Sequence, residues 1–226
     1  VDPTTANTVY AGTYGGGVLR LDSSGEWQAF ADLPADLVVN PNALAVTDAR
    51  VYVGTLDHGL YVYDRSSRRW SNWASGLPSA NVTALAAARG YLYVGTDNGL
   101  VHLTRDGGKS WKDVSIPGLA APRRANVTAI EASHRAAGTA YVAVEYLRTG
   151  NHAPYLFRTR DYGRSWTSIV NGLPASEPSG SFARVIREDP KRPGLLFAGT
   201  ESSVHVSFND GDMWQSLTLD LPNTPV

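Results

Sequence analysis

The tetrapeptide Tyr93-Val94-Gly95-Thr96 decides the fold, because close versions of it return along the whole 226-residue chain. The other copies share an aromatic residue followed by small or β-branched residues: Tyr10-Ala11-Gly12-Thr13, Tyr52-Val53-Gly54-Thr55, the degenerate Tyr141-Val142-Ala143-Val144, and Phe197-Ala198-Gly199-Thr200. A tryptophan follows each copy, at positions 27, 70, 111, 166 and 214. Self-similarity at a period of about 45 residues is the signature of a repeat protein. The sequence therefore contains five repeating units.

Each unit predicts four short β-strands, a to d, and no helix. The third unit is the clearest example, with alternating apolar runs at residues 82–86, 91–95, 100–103 and 110–114. Asn98-Gly99 and Asp106-Gly107-Gly108 supply the turns between these runs. Four-stranded units at this spacing are typical of the blades of a β-propeller, which has about four to eight of them.

We therefore predict an all-β fold, a five-bladed β-propeller of four-stranded antiparallel blades. It forms one domain over residues 1–226, and the approximate blades are residues 1–34, 35–78, 79–119, 120–174 and 175–226. One blade is expected to lack strand a, because Asp2-Pro3 lies ten residues before Gly12 just as Asp189-Pro190 lies ten before Gly199. The N-terminus thus enters after the position of strand a.

The C-terminus leaves the closure of the ring open. Residues 221–226 match residues 77–82, so the chain stops where another strand a would begin. Either five blades close with one three-stranded blade, or the chain is part of a larger propeller. A closed ring would be a monomer, whereas an open blade edge would allow a dimer.

A second motif, with an acid or amide, a glycine and a tryptophan at fixed spacing, lies between the third and fourth strands of three units. Its copies are residues 104–111, 159–166 and 207–214, which share an acid or amide, a glycine and a tryptophan: Asp106, Gly108 and Trp111; Asp161, Gly163 and Trp166; Asn209, Gly211 and Trp214. The carboxylate or amide is expected to accept amide hydrogen bonds from its own turn, and the glycine to allow a positive φ. The tryptophan is expected to bury against the next blade.

This motif resembles the Asp box, or BNR repeat, of sialidases, sortilin-type receptors, xyloglucan-specific glucanases and photosystem II assembly propellers. The resemblance implies a structural role for the nine motif residues, on the rim opposite the binding face. The first two units lack the motif and look more like the repeats of bacterial two-component sensors, while residues 186–226 resemble bacterial BNR-repeat proteins. Such a change in style is expected either from natural drift or from an engineered, joined chain.

The amino-acid composition excludes several classes of fold and functional site. The chain has no cysteine, and 20 basic against 21 acidic residues leave a net charge of −1. These counts exclude a disulfide scaffold, a cysteine zinc site, a thiol nucleophile and a basic nucleic-acid surface. With no apolar run of about 18 residues, we expect no membrane insertion. We also expect no metal and no cofactor, and a natural source would be a periplasmic or secreted bacterial protein.

The loops between strands b and c are the candidate ligand-binding face. Four of the five begin with a carboxylate, and the fourth loop is the longest insertion in the repeat, which is where function concentrates on a rigid scaffold. The candidate residues on this face are Tyr14, Asp57, His58, Asp97, Glu145, Tyr146, Arg148, His152 and Glu201.

Two classes of function follow from this face. The first is a non-catalytic scaffold or binding module for a protein, peptide or glycan. The alternative is a glycoside hydrolase-like enzyme with paired carboxylates at the channel mouth, for which Glu145 and Glu201 are the pair to test. A sialidase is disfavoured, because the chain lacks that family's Arg-Ile-Pro segment, and 226 residues are too few for the two tandem propellers of the glucanases.

Overall fold

A computed structural model describes residues 1–30, 33–34, 37–119, 125–174 and 181–217, which form five antiparallel sheets. Blade 1 contains β1 (Val9–Thr13), β2 (Gly17–Leu21) and β3 (Trp27–Ala29). Blade 2 contains β4 (Val38–Val46), β5 (Arg50–Leu56), β6 (Leu60–Asp64) and β7 (Arg69–Asn72). Blade 3 contains β8 (Val82–Ala88), β9 (Tyr91–Thr96), β10 (Val101–Thr104) and β11 (Lys112–Asp113).

The last two blades continue the same pattern. Blade 4 contains β12 (Asn126–Ala132), β13 (Ala140–Tyr146), β14 (Asn151–Thr159) and β15 (Thr167–Ser168), with a short 3-10 helix at Leu147–Thr149 between β13 and β14. Blade 5 contains β16 (Ala183–Glu188), β17 (Leu196–Thr200), β18 (Val204–Ser207) and β19 (Gln215–Ser216). Neighbouring strands in sequence are neighbours in each sheet, so every blade is a simple meander.

The sheets are arranged as the blades of a propeller. The inner strands β4, β8, β12 and β16 contact one another in succession, and β1 contacts β4. In blade 1 the described strands correspond to b, c and d, so β1 takes the inner position. The all-β, five-bladed β-propeller predicted from the repeat is thereby confirmed, including the blade that lacks strand a among the described residues.

The N-terminal turn shows why β1 corresponds to a strand b. The Asp2 amide donates to the Thr8 carbonyl (2.9 Å), as the Asp189 amide donates to the Leu195 carbonyl (2.9 Å) before β17. Arg65 of blade 2 forms an ion pair with the buried Asp2 carboxylate (2.5 Å). Burial raises the pKa of Asp2, but the hydrogen bonds from Arg65 and Thr4, together with the charge of Arg65, outweigh it and hold the pKa well below its ordinary value. This ion pair ties blade 1 to blade 2.

The hydrophobic core is divided into four clusters, each between two consecutive blades. The clusters join blade 1 to 2, 2 to 3, 3 to 4 and 4 to 5. In each interface, alternate residues of strand b face the preceding blade and the others face the following blade. Within the described residues, none of these clusters joins blade 5 to blade 1.

Glycine in strand b allows consecutive blades to approach closely. A Cβ placed on Gly54 would lie 2.6 Å from Cγ1 of Val82, and one on Gly95 would lie 2.8 Å from Cβ of Val127. Real Cβ atoms do not approach that closely, so the strand-b glycine and the strand-a valine of the next blade form a matched pair. Between blades 4 and 5 the same pair becomes Ala143 and Ala183, both fully buried. A larger strand-b residue is thus accompanied by a smaller strand-a residue.

We predict that Gly95→Ala lowers the free energy of unfolding by about 1–3 kcal/mol, because the added methyl overpacks the interface against Val127. Adding Val127→Ala should recover part of this loss, since the pair then matches Ala143 and Ala183. Urea denaturation of the two single variants and the double variant measures the coupling. Strictly additive effects would contradict the matched pair.

Candidate functional site

The turns between strands c and d in blades 3, 4 and 5 share one hydrogen-bond pattern. Asp106 Oδ1 accepts from the Ser110 amide (3.0 Å), and Asp161 Oδ1 accepts from the Ser165 amide (2.9 Å). Asn209 Oδ1 accepts from the Met213 amide at 2.9 Å. The glycines Gly108, Gly163 and Gly211 all have φ between 80° and 87°. The acid or amide and the glycine therefore shape this turn, as the sequence led us to expect.

The tryptophans of these turns pack against the preceding blade, not the next one. Trp166 Nε1 donates to the Val114 carbonyl (2.8 Å) of blade 3, and Trp214 Nε1 donates to the Ile169 carbonyl (2.6 Å) of blade 4. Trp111 lies against the cluster shared by blades 2 and 3. The expected direction was wrong, because a sequence period shows that neighbours repeat but not on which side a ring lies.

The same turns lower the pKa of their carboxyl groups. Hydrogen bonds from the Ser110 hydroxyl and amide lower the pKa of Asp106 to about 2, and those from Ser165 lower the pKa of Asp161 to about 2. These carboxylates are engaged in their own turns at neutral pH. Their side chains are accessible to solvent, so the effect is local to the turn.

Four of the predicted face residues lie in exposed loops and are not among the residues that line the central channel. Tyr14 is 77% exposed in the β1–β2 turn, and Arg148 is exposed in the 3-10 helix of blade 4. Asp57 and His58 are exposed in the β5–β6 turn, where Asp57 has a φ of 80° and donates its amide to Asn81 Oδ1 (3.0 Å). These four residues lie at the rim of the b–c face.

Two other predicted residues belong to the packing of blade 4. Tyr146 is buried, and its hydroxyl donates to the Leu119 carbonyl (3.3 Å). The His152 ring lies beside Phe182, with 6.0 Å between ring centroids, and the His152 carbonyl accepts from the Ser181 hydroxyl (2.8 Å). Tyr146 thus supports the core, whereas His152 helps to join blade 4 to blade 5.

The three remaining carboxylates are held by residues of strand a in their own blades. In blade 3, Asn81 Nδ2 donates to Asp97 Oδ2 (3.0 Å), and in blade 4, Asn126 Nδ2 donates to Glu145 Oε1 (3.0 Å). In blade 5, Arg184 Nε donates to Glu201 Oε2 at 2.5 Å. A carboxylate at the end of strand b therefore repeatedly binds a donor at the start of strand a.

The inner strands of the described blades line a central channel with a volume of about 960 Å³. Of the predicted face residues, Glu145 contributes to its described wall. At the b–c end the wall consists mainly of amides and hydroxyls from the starts of the inner strands, together with one cation: Asn40, Asn42, Thr83, Asn126, Thr128 and Arg184. Glu131, His134 and Arg187 line the other end.

Polar side chains of the inner strands also join the blades. Asn40 Nδ2 donates to the Val82 carbonyl (3.2 Å), Thr83 Oγ1 to the Val127 carbonyl (2.7 Å), and Thr128 Oγ1 to the Ala183 carbonyl (3.4 Å). Each bond runs from one blade to the next along the channel wall. We refer to these three bonds as the inter-blade hydrogen bonds.

The inner-strand residues were not among those predicted for the site. The signal that identifies them is the inner position of strand a, since alternate residues of an inner strand face the channel.

Charges at the far end of the channel form a compact network. Glu131 Oε1 lies 3.0 Å from His134 Nε2, and Glu131 Oε2 lies 3.7 Å from Arg187. Burial raises the pKa of Glu131, although Arg187 and His134 oppose the rise. Glu188 accepts from the Ser133 hydroxyl (2.9 Å) and so joins blade 5 to blade 4. In the described ranges, no three His, Asp or Glu side chains are grouped so as to hold a metal ion.

Comparison with known proteins shows the fold of the chain but not its family. No protein-family model matches the chain, and no curated protein matches it. Among solved structures, an ancestral GH74 enzyme superimposes with a TM-score of 0.74 at 20% identity, covering 100% of this chain and 31% of that one. A GH74 xyloglucanase from Xanthomonas campestris gives 0.64 at 23% identity, covering 96% and 37%.

The extracellular domain of a bacterial one component system has a similar fold. The extracellular domain described as that of a one component system from B. thetaiotaomicron gives a TM-score of 0.68 at 18% identity, covering 96% of this chain and 27% of that chain. The chain thus spans about a third or less of the first structures it matches. These are β-propeller domains, so the class of protein is a β-propeller. In the part of the chain that the structure describes, no helix has the length and apolarity needed to cross a membrane.

We predict that replacing Asp106 and Asp161 by Asn removes part of the loss of stability at low pH. Both carboxyls have a pKa near 2 in the folded chain, below the ordinary value of 3.8, so their stabilisation is present above pH 3.8 and is lost as the pH falls through 2. Asn209 shows that an amide fits the turn.

Chemical denaturation at a series of pH values between neutrality and pH 2 checks this expectation. The double variant should be less stable than the wild type near pH 7, where the Asp106 and Asp161 carboxylates stabilise their turns, and its stability should decline less steeply below pH 4. Exposed Glu26→Gln is the control, since no side-chain hydrogen bond holds Glu26 among the described residues. Identical pH profiles for wild type and double variant would contradict the assignment.

Proposed function

We propose that this β-propeller is a non-catalytic binding module that takes a neutral oligosaccharide at the b–c end of its channel. The observation that carries the proposal is the composition of the channel wall there. Four inner strands contribute side-chain amides, hydroxyls and one cation around a cavity of about 960 Å³. Ligand sites in proteins have volumes of about 300–1,000 Å³ and a few convergent polar groups.

Hydrogen-bonding capacity favours a ligand rich in hydroxyl groups. Glu145 Oε1 accepts from Asn126 Nδ2, but Glu145 Oε2 and Asn126 Oδ1 have no partner among the described residues. Acceptors without donors are costly away from water, and a hydroxyl donor from a ligand would satisfy them. Tyr14, exposed at the rim of the same face, offers a ring surface against which a sugar could stack.

The engagement of the carboxylates supports binding over catalysis. A glycosidase needs one carboxylic acid to protonate the leaving oxygen and a second carboxylate as base or nucleophile. Glu145 and Glu201 each accept a hydrogen bond from strand a of their own blade, and Arg184 neutralises Glu201. Both carboxylates are thus already bonded within their own blades, which leaves neither free as the acid and base pair that a glycosidase needs.

The similarity to GH74 enzymes and to a sensor extracellular domain is consistent with both classes of function. One of these structures is described as a xyloglucanase, which makes xyloglucan oligosaccharides the first ligands to test. Because the chain spans 37% of that structure, its activity is not carried over. The proposed binding module is the single domain of residues 1–226, which would bind the sugar on its own.

We predict that calorimetric titration with neutral xyloglucan oligosaccharides detects binding, and that Asn126→Ala weakens it about tenfold, corresponding to about 1.4 kcal/mol. Glu145→Gln should weaken it similarly, because one acceptor becomes a donor. Glu26→Gln, on the opposite rim, should leave affinity unchanged. Thermal melting of each variant shows whether the fold is kept.

The same titration distinguishes the other classes. Binding of peptides but not of sugars would contradict the glycan assignment, and no binding to either panel would indicate a scaffold. Release of reducing ends from xyloglucan that is lost in Glu145→Gln or Glu201→Gln, while binding persists, would replace the proposal by the glycosidase alternative.

A further inference from the structure

Blade 1 has an apolar face that no described blade covers. In the paired strands β1, β2 and β3, Val9 is opposite Leu21 and Leu21 is opposite Trp27; Ala11, Leu19 and Ala29 form a second row. Cross-strand partners lie on the same side of a sheet. We call these six residues the front face of blade 1. None of them carries a charge, and the other side of the sheet, with Tyr10 and Val18, packs against blade 2.

The same positions are buried in the other blades. Val51 and Val53 of blade 2 are fully buried, whereas Val9 and Ala11 are only half-buried. The tryptophans show the contrast most clearly, since Trp27 is 50% exposed and Trp214 of blade 5 is 2% exposed. In blades 2 and 5, the positions that correspond to the front face of blade 1 are therefore covered by the preceding blade. We call these positions the front face of each blade.

The interface between blades 4 and 5 shows what covers a front face. The front face of blade 5, with Leu196, Ala198 and Trp214, packs on Tyr141 and Ala143 of strand b and on Leu156 of strand c in blade 4. The covering surface thus combines one aromatic, one small and one aliphatic residue. The indole N–H of Trp214 completes the contact through the Ile169 carbonyl.

Blade 5 carries a corresponding surface on its far side. Gly199 pairs with Val204 as Ala143 pairs with Leu156, and Phe197 takes the place of Tyr141. We call Phe197, Gly199 and Val204 the rear face of blade 5. Phe197 and Val204 are half-buried and belong to none of the four clusters of the described residues.

A backbone carbonyl is placed to complete this surface. The Leu217 amide donates to the Val204 carbonyl, just as the Ile169 amide donates to the Leu156 carbonyl. The Leu217 carbonyl therefore takes the place of the Ile169 carbonyl that accepts the indole N–H of Trp214. In a fifth interface, the Leu217 carbonyl would accept a hydrogen bond from the indole N–H of Trp27.

We propose that the front face of blade 1 binds the rear face of blade 5 from a second copy of this chain. The contact would repeat the interface already made four times within the chain. Because it joins two different surfaces, it is heterologous and produces head-to-tail association, not a two-fold dimer.

Sedimentation velocity over a wide range of protein concentration tests this association. The wild type should gain mass with concentration. Leu19→Glu on the front face and Val204→Glu on the rear face should each weaken association at least tenfold, because a charge is buried without a partner. Gln28→Glu is the matched control: Gln28 is exposed and pairs with Arg20 on the other side of the same sheet.

Mixing the two interface variants gives the sharpest test. Leu19→Glu keeps an intact rear face and Val204→Glu keeps an intact front face, so an equimolar mixture should form a one-to-one heterodimer and nothing larger. Circular dichroism and thermal melting verify that each variant is folded.

Three results would overturn the proposal. A wild type that stays monomeric at every concentration would show that the faces do not associate between copies. Val204→Glu associating as the wild type does would indicate contact between two front faces. Folded variants that remain monomeric when mixed would exclude the head-to-tail contact.

Discussion

The close approach of consecutive blades at their inner strands is the constraint on which the rest of the molecule depends. A strand-b glycine such as Gly95 and a strand-a valine such as Val127 fill the space between two blades. A larger side chain at one position therefore requires a smaller side chain at the other. That spacing brings Thr83 within hydrogen-bond distance of the Val127 carbonyl and sets the width of the channel. Packing at the interface therefore fixes the geometry of the polar wall.

The repeat made the fold predictable, because the strand-b tetrapeptide returns five times and the same blade interface recurs four times among the described residues. Even so, details of the strands differ from the sequence pattern: residues 110–114 were expected to form strand d of blade 3, but β11 covers only Lys112–Asp113. The turn built on Asp106 occupies the preceding residues, with Ser110 bonded to its carboxylate. A tight turn thus takes residues that alternation alone assigns to a strand.

The site was less predictable for a physical reason. Carboxylates at strand ends, such as Asp97, stand out in a sequence, but whether they are free depends on a donor such as Asn81 from another strand. Conversely, Asn40 and Thr128 look ordinary along the chain and become important only because their strands are innermost. Such roles depend on position around the axis, which a linear pattern does not encode.

The inter-blade hydrogen bonds all point in one direction, from an inner-strand side chain to the backbone of the following blade. Each of these bonds joins a blade to its immediate successor, and none of them depends on the total number of blades. Stability in such an array is a sum of local terms, as in solenoids. Gene duplication or loss of one unit would therefore keep the contacts between the other neighbouring blades, and only the new junction would need a strand-b residue matched to the strand a that it meets.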